Sequence, residues 1–186
     1  MRIISGKARG TKLYTLEGEN TRPTLDRVKE SIFNIIQADI QEAEVLDLFA
    51  GSGAIGLECL SRGASKAVMC DKSKEAINII RKNVEKTHME AQAQILNLDF
   101  EKCLDNLKGK QFDIIYIDPP YETDYIYKAI KKINENNITK ENSLIIAETD
   151  DEKRIEEEIK NLEIEIVDKR KYGRATIIFL KKPRKG

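Results

Sequence analysis

Val45-Leu46-Asp47-Leu48-Phe49-Ala50-Gly51-Ser52-Gly53-Ala54-Ile55-Gly56 is the stretch whose reading decides the fold. Val45, Leu46, Leu48 and Phe49 make a short apolar run, the pattern of a strand covered on both faces. Gly51 and Gly53 permit a sharp turn and a close approach of backbone to ligand. Beyond them, Ile55, Leu57 and Leu60 fall at helical spacings. The unpaired N–H groups of that helix's first turn face the crevice at the carboxyl end of the strand, which predicts a bound cofactor. Gly51, Gly53 and Gly56 spell GxGxxG, which suits a nicotinamide dinucleotide as well as other nucleotide-like cofactors.

Working outward, strand and helix alternate. Lys66 to Asp71 reads as a second strand, and Ile77, Ile79, Ile80 and Val84 as helical. Ala93 to Leu98 is a third strand, ending at Asp99-Phe100, and Phe112 to Ile117 is the strongest apolar run. A helix from Tyr125 to Ile133, a strand from Ser143 to Glu148 and a charged helix from Glu152 to Leu162 follow. Ile164 to Val167 and Ala175 to Leu180 flank a Tyr172-Gly173 turn and should pair antiparallel. This order predicts an α/β fold, a doubly wound, mostly parallel seven-stranded sheet with an antiparallel edge.

Upstream, residues 2–5 and 11–16 read as two short strands around a turn with Gly6 and Gly10. Thr21-Arg22-Pro23-Thr24 reads as extended, with Thr24 or Asp26 capping a helix to about Ala38. The expected organisation is an N-terminal extension, residues 1–40, on a main domain, residues 41–186, with a basic tail past Leu180.

The chain has 186 residues, 40% hydrophobic and 34% charged, which suits one domain. No apolar run approaches the roughly 20 residues that span a bilayer, and MRIISGKARG lacks the apolar core of a signal peptide. Cys59, Cys70 and Cys103 are far apart and form no CxxC pair, so reduced thiols in a cytoplasmic protein are expected, two of them in the core. His88 is the single histidine, expected at the surface, and no metal site is expected. The zero net charge hides a segregation: residues 1–14 carry four basic residues and no acid, and residues 169–186 carry eight and no acid. The ends can grip a polyanion that the acidic middle repels.

Acids recur where strands end. Asp71 lies about 20 positions past the glycine turn, where an acid accepts both hydroxyls of a ribose. Asp99 either accepts from an adenine amine or caps the next helix, and Phe100 or Met69-Cys70 can flank a purine. Asp118-Pro119-Pro120-Tyr121 follows the strongest strand. Its prolines offer no N–H, so the loop presents acceptors beside an aromatic ring. That combination suits a planar base bearing an amino group. Arg22, Arg27 and Lys29, at the start of the first helix, are candidates for phosphate or a cofactor carboxylate.

On these residues the chain resembles a class I S-adenosylmethionine-dependent methyltransferase. It is more closely similar to the RsmD family, which methylates the exocyclic N2 of one guanine in small-subunit (16S) ribosomal RNA. Beside Phe49-Ala50-Gly51-Ser52-Gly53 and Asp118-Pro119-Pro120-Tyr121, the resemblance rests on Arg22-Pro23-Thr24 and Asp26 to Asn34. Ser61-Arg62-Gly63-Ala64 and Tyr172-Gly173 add to it. It implies that Asp47 and Ala50 to Gly53 hold the methionine end of the cofactor, Asp71 its ribose and Asp99 its adenine. Phe49, Lys72 and Phe100 complete that set, and Asp118 to Tyr121 receive the guanine. Arg2, Lys7, Arg9, Arg22, Arg27 and Arg174 are the expected RNA contacts, on ribosomal RNA or a small-subunit particle, by a monomer away from membranes. Ser5 stands where glycine is expected, and Ala8 where a bulky aromatic is common. Two alternatives remain open: adenine-N6 methylation of DNA, and a non-enzymatic nucleotide sensor or RNA-assembly factor.

Overall fold

Alternation of side chains along seven strands builds two cores, one on each face of a single sheet. The computed structural model describes residues 1–17 and 23–184. In chain order the elements are α1 (Pro23–Ile40), β1 (Glu44–Asp47), α2 (Ala54–Ser61), β2 (Lys66–Cys70), α3 (Lys74–Lys86), β3 (Ala93–Leu96), α4 (Phe100–Asn106), β4 (Phe112–Ile117), α5 (Tyr125–Glu135), β5 (Thr139–Thr149), α6 (Glu152–Glu158), β6 (Glu165–Tyr172) and β7 (Ala175–Lys181). The strand order is β3-β2-β1-β4-β5-β7-β6. β1 to β5 are parallel, and β7 runs antiparallel to both β5 and β6. The expected doubly wound sheet is therefore present.

Val45, Ala67, Met69, Ile114 and Ile146 point to the face covered by α1, α2 and α3. Their neighbours Leu46, Val68, Ile115, Ile117 and Ala147 point to the face covered by α4, α5 and α6. The terminal hairpin folds so that β7, buried from Thr176 to Leu180, lies next to β5. β6 carries Asp168, Lys169, Arg170 and Lys171 and takes the outer edge, where charge blocks further strand pairing.

Several boundaries differ from the sequence reading. Pro23 and Thr24 are helical rather than extended, because proline suits the first helical position. Asp26 lies in the first turn rather than at the cap, and α1 continues to Ile40. Thr21 and Arg22 lie outside the described residues. Residues 2–5 and 11–16 do not form two strands. They meet at one antiparallel bridge, Arg2 to Lys12, with three further backbone bonds from Ile3, Gly10 and Leu13. All three cysteines are buried, not two, and His88 is exposed as expected.

The N-terminal residues are held by the body as well as by each other. Ile3 and Leu13 are buried in the same core as α1 and α3. The Glu58 carboxylate, 0% exposed on α2, accepts from the amides of Ile4 at 2.8 Å and Ser5 at 3.1 Å. It also pairs with Lys29 at 3.0 Å and Arg62 at 2.8 Å. Burial opposes its charge, but Lys29, the Ile4 amide and Arg62 prevail and hold its carboxyl below the ordinary range. Lys29 is thus 3% exposed and donates to the Arg2 carbonyl, so it is no surface phosphate contact. Gly6, at φ 90°, passes so close to α2 that a Cβ would lie 1.9 Å from the Ser61 carbonyl oxygen.

Candidate active site

The carboxyl ends of the five parallel strands share one rim. The strand order reverses between β1 and β4, which opens a crevice there. A cavity of about 830 Å³ occupies it. Asp47, Phe49, Ala50, Gly51 and Ser52 line it from the end of β1, Asp71 and Lys72 from β2, and Asp99 and Phe100 from β3. Asp118, Pro119, Pro120 and Tyr121 line it from β4. The two loops singled out from the sequence therefore face one space. Gly53 is the exception and does not line the cavity. At φ 82° it ends the turn, and a Cβ there would lie 3.2 Å from Met69 Sδ, so its part is to let the backbone turn against β2.

The glycine turn is fastened by backbone groups. The Ala50 amide donates to the Cys70 carbonyl at 2.8 Å, and the Gly53 amide to Ala50 at 2.8 Å. Asp71 Oδ2 accepts from the Gly51 amide and Oδ1 from the Ser73 amide, both at 2.9 Å. Asp71 thus positions the turn while lining the cavity, and each oxygen keeps a second lone pair for a hydroxyl. Asn83 of α3 donates to the Ser52 carbonyl at 2.8 Å and joins Tyr14 through both its N–H and C=O. Asp99 caps α4, its Oδ1 accepting from the Glu101 and Lys102 amides, so the capping reading holds while the residue still lines the cavity.

Asp47 sits deepest among these acids, 1% exposed, and neither carboxylate oxygen has a well-formed hydrogen bond. Burial, then the nearby Asp71 charge, pushes its carboxyl up to about 7; the Gly56 and Phe49 amides offset only part of this. An acid in this condition suits a cationic ligand group, which would supply the missing counter-charge.

Phe49, Phe100 and Tyr125 form a ring cluster on one wall, with Phe49 and Tyr125 stacked at 6.1 Å and Phe100 4.8 Å from Tyr125. Tyr121 also lines the cavity and is 42% exposed. Burial, then the Glu148 and Asp118 charges, pushes its phenol up to about 12. Among the expected RNA contacts, Arg2, Lys7, Arg9, Arg27 and Arg174 are exposed. Arg22 lies outside the described residues. No group of metal-ligating side chains occurs among the described residues, and no helix is long and apolar enough to cross a membrane.

A family model described as "conserved hypothetical protein 95" matches residues 1–181. A Haemophilus influenzae protein named ribosomal RNA small subunit methyltransferase D is 41% identical over 158 residues, 82% of this chain and 80% of its own. The chain belongs to the RsmD family. The Escherichia coli K12 member of the same name is 35% identical over 81% of this chain and 75% of its own. Among solved structures, a Haemophilus influenzae protein titled provisionally as a methylase superposes with TM-score 0.78 at 33% identity, covering 97% of both chains.

Among the residues that sequence reasoning left without a role, Tyr116, Tyr125, Lys128 and Glu148 bring polar groups to the cavity of this RsmD-family chain. Tyr116 donates to Glu148 Oε2 at 3.2 Å. Burial raises the Glu148 carboxyl above its ordinary value, against the pull of bonds to Tyr116, Asp118 and Tyr121. Glu148 was findable, as an acid ending an apolar strand like Asp47, Asp71 and Asp118. Tyr116 was not, because within β4 it reads as one more core residue. Met1, Thr15, Leu16 and Val28 also line the cavity, so the N-terminal residues form part of its wall.

Proposed function

We propose that this chain transfers a methyl group from S-adenosylmethionine to the exocyclic N2 of a guanine in small-subunit ribosomal RNA. The observation that carries the reading is the single cavity that the glycine turn and the Asp118-Pro119-Pro120-Tyr121 loop line together. The donor fits the residues present, since the buried Asp47 carboxylate, with no well-formed hydrogen bond and the Asp71 charge nearby, suits a cationic group. S-adenosylmethionine supplies an electrophilic methyl group on a sulfonium, which needs no metal or covalent enzyme intermediate.

Asp47 and residues 50–52 hold the methionine end in this reading, and Asp71 holds the ribose. Asp99 and Phe100 flank the adenine. Asp118 accepts from the guanine amine and aims its lone pair, while Tyr121 stacks on the base. Orientation and exclusion of water are the main catalytic contributions. Arg2, Lys7, Arg9, Arg22, Arg27 and Arg174 grip the phosphates, the first five from residues 1–40 acting as an RNA-contacting extension. In this reading the chain acts as a monomer.

Incubating the chain with labelled S-adenosylmethionine and either 16S RNA or small-subunit particles tests this. Methylation should map to the N2 of one guanine. Label in adenine of duplex DNA would replace the substrate assignment, and no transfer to either would sink the enzyme reading.

A further inference from the structure

We propose that Glu148, aligned by the Tyr116 hydroxyl, selects guanine by accepting the N1–H beside the amine that Asp118 orients. The inference rests on the guanine reading above and goes beyond it by assigning the discriminating group.

Glu148 lies near the end of β5, one residue past the Ile117–Ala147 pair that closes the β4–β5 register. It therefore stands beside Asp118 on the same rim. It lines the cavity, receives the Tyr116 hydroxyl at 3.2 Å and reaches both Asp118 and Tyr121. Tyr116 is itself buried, so the orientation it imposes on the carboxylate is fixed by the core. The rim thus offers two adjacent acids where a base would enter.

The chemistry of the amino bases decides what two adjacent acids can take. Guanine carries an N1–H donor next to its C2 amine, a pair of donors side by side. Adenine has a bare N1 beside its amine, and cytosine a bare N3, both acceptors. In its ionised form the carboxylate facing that atom accepts a hydrogen bond from guanine. It meets a lone pair in the other two and leaves two buried acceptors opposed. Glutamine at the same place loses this sign, because its amide presents a donor as readily as an acceptor.

The test compares two RNAs, or particles reconstituted on them, carrying guanine or 2-aminopurine at the mapped target position. 2-Aminopurine keeps the C2 amine and lacks the N1–H. The wild-type protein should favour guanine in kcat/KM by about a hundredfold or more, as expected when a buried acceptor loses its partner. Glu148→Gln should shrink that ratio by about tenfold, chiefly by loss on guanine, with S-adenosylmethionine affinity unchanged within a few-fold. Tyr116→Phe should move the ratio in the same direction by less. Comparing ratios cancels the intrinsic reactivity of the two amines. Equal losses on both RNAs in Glu148→Gln, or a wild-type protein indifferent to the N1–H, would overturn the assignment and leave the methyltransferase reading standing. Absence of transfer to any guanine RNA by the wild-type protein would remove both.

Discussion

The two halves of the cavity are held in different ways. On the β1–β3 side two of the acids are engaged by backbone: Asp71 holds the Gly51 and Ser73 amides, and Asp99 the Glu101 and Lys102 amides. On the β4–β5 side Glu148 meets side chains, Tyr116, Asp118 and Tyr121. The first half is pre-formed by backbone donors. The second is completed by side chains, of which Asp118 and Tyr121 also face the base in the proposed complex. A cofactor of constant shape suits the former, and a base drawn from an RNA suits the latter.

The comparison can be broken at Asp118. Asp118→Ala should reduce methyl transfer by about a thousandfold or more, as when a group aimed at the reacting atoms is removed, while calorimetry finds S-adenosylmethionine affinity within a few-fold. A parallel loss of cofactor affinity would show that the halves are not separable. Asp71→Ala attacks the other half. It removes a ribose acceptor and the fastening of the Gly51 amide together, so cofactor affinity should fall by about a hundredfold. Unchanged affinity would limit Asp71 to the turn.

Glu58→Ala probes the support beneath both halves. It leaves Lys29 buried without its partner and releases the Ile4 and Ser5 amides, so denaturant unfolding should show a loss of about 3–5 kcal/mol. A smaller effect would mean that residues 1–13 are held mainly by the burial of Ile3 and Leu13.

Asp47 sharpens the comparison through pH. Its carboxyl, raised to about 7 by burial and then by Asp71, stays protonated in the folded protein after the unfolded chain has ionised. The stability this contributes is complete below about pH 4 and is lost as pH rises to about 7. Without ligand, the wild-type melting temperature should therefore fall across that window more than that of Asp47→Asn. S-adenosylmethionine affinity should rise with pH through about 7 in the wild type and stay flat in the variant. The smallest effect is expected at the tail. Neutralising Lys181, Lys182, Arg184 and Lys185 should flatten the plot of log affinity for RNA against log salt, its slope falling by up to about one for each phosphate no longer neutralised. An unchanged slope would assign those charges to solubility.

Much of this is legible because the signals are local. The strand, glycine turn and helix at residues 45–60 follow from composition within one stretch, as does a loop with two prolines after a strong strand. The two segments at residues 2–16 pair antiparallel only at one bridge and a few backbone bonds, short of two full strands, because two short polar segments are not a self-sufficient pair. Their partners are Glu58 and Ser61, more than fifty residues away. The surface-phosphate reading of Lys29 fails for the same reason, since a lysine reads as exposed unless its counter-charge is known, although Lys29 does line the cavity.

Periodicity and turn chemistry are enough to establish seven strands, their alternation with helices and the acids at the strand ends, because each depends on a few neighbouring residues. The tertiary structure decides which of those acids share a counter-charge, which groups donate or accept, and which stand unpaired. Only it brings Tyr116 to Glu148 and Lys29 to Glu58, and buries Asp47 beside Asp71 with no well-formed hydrogen bond. The energy of a charge depends on everything within a few ångströms of it, and most of those neighbours are remote along the chain.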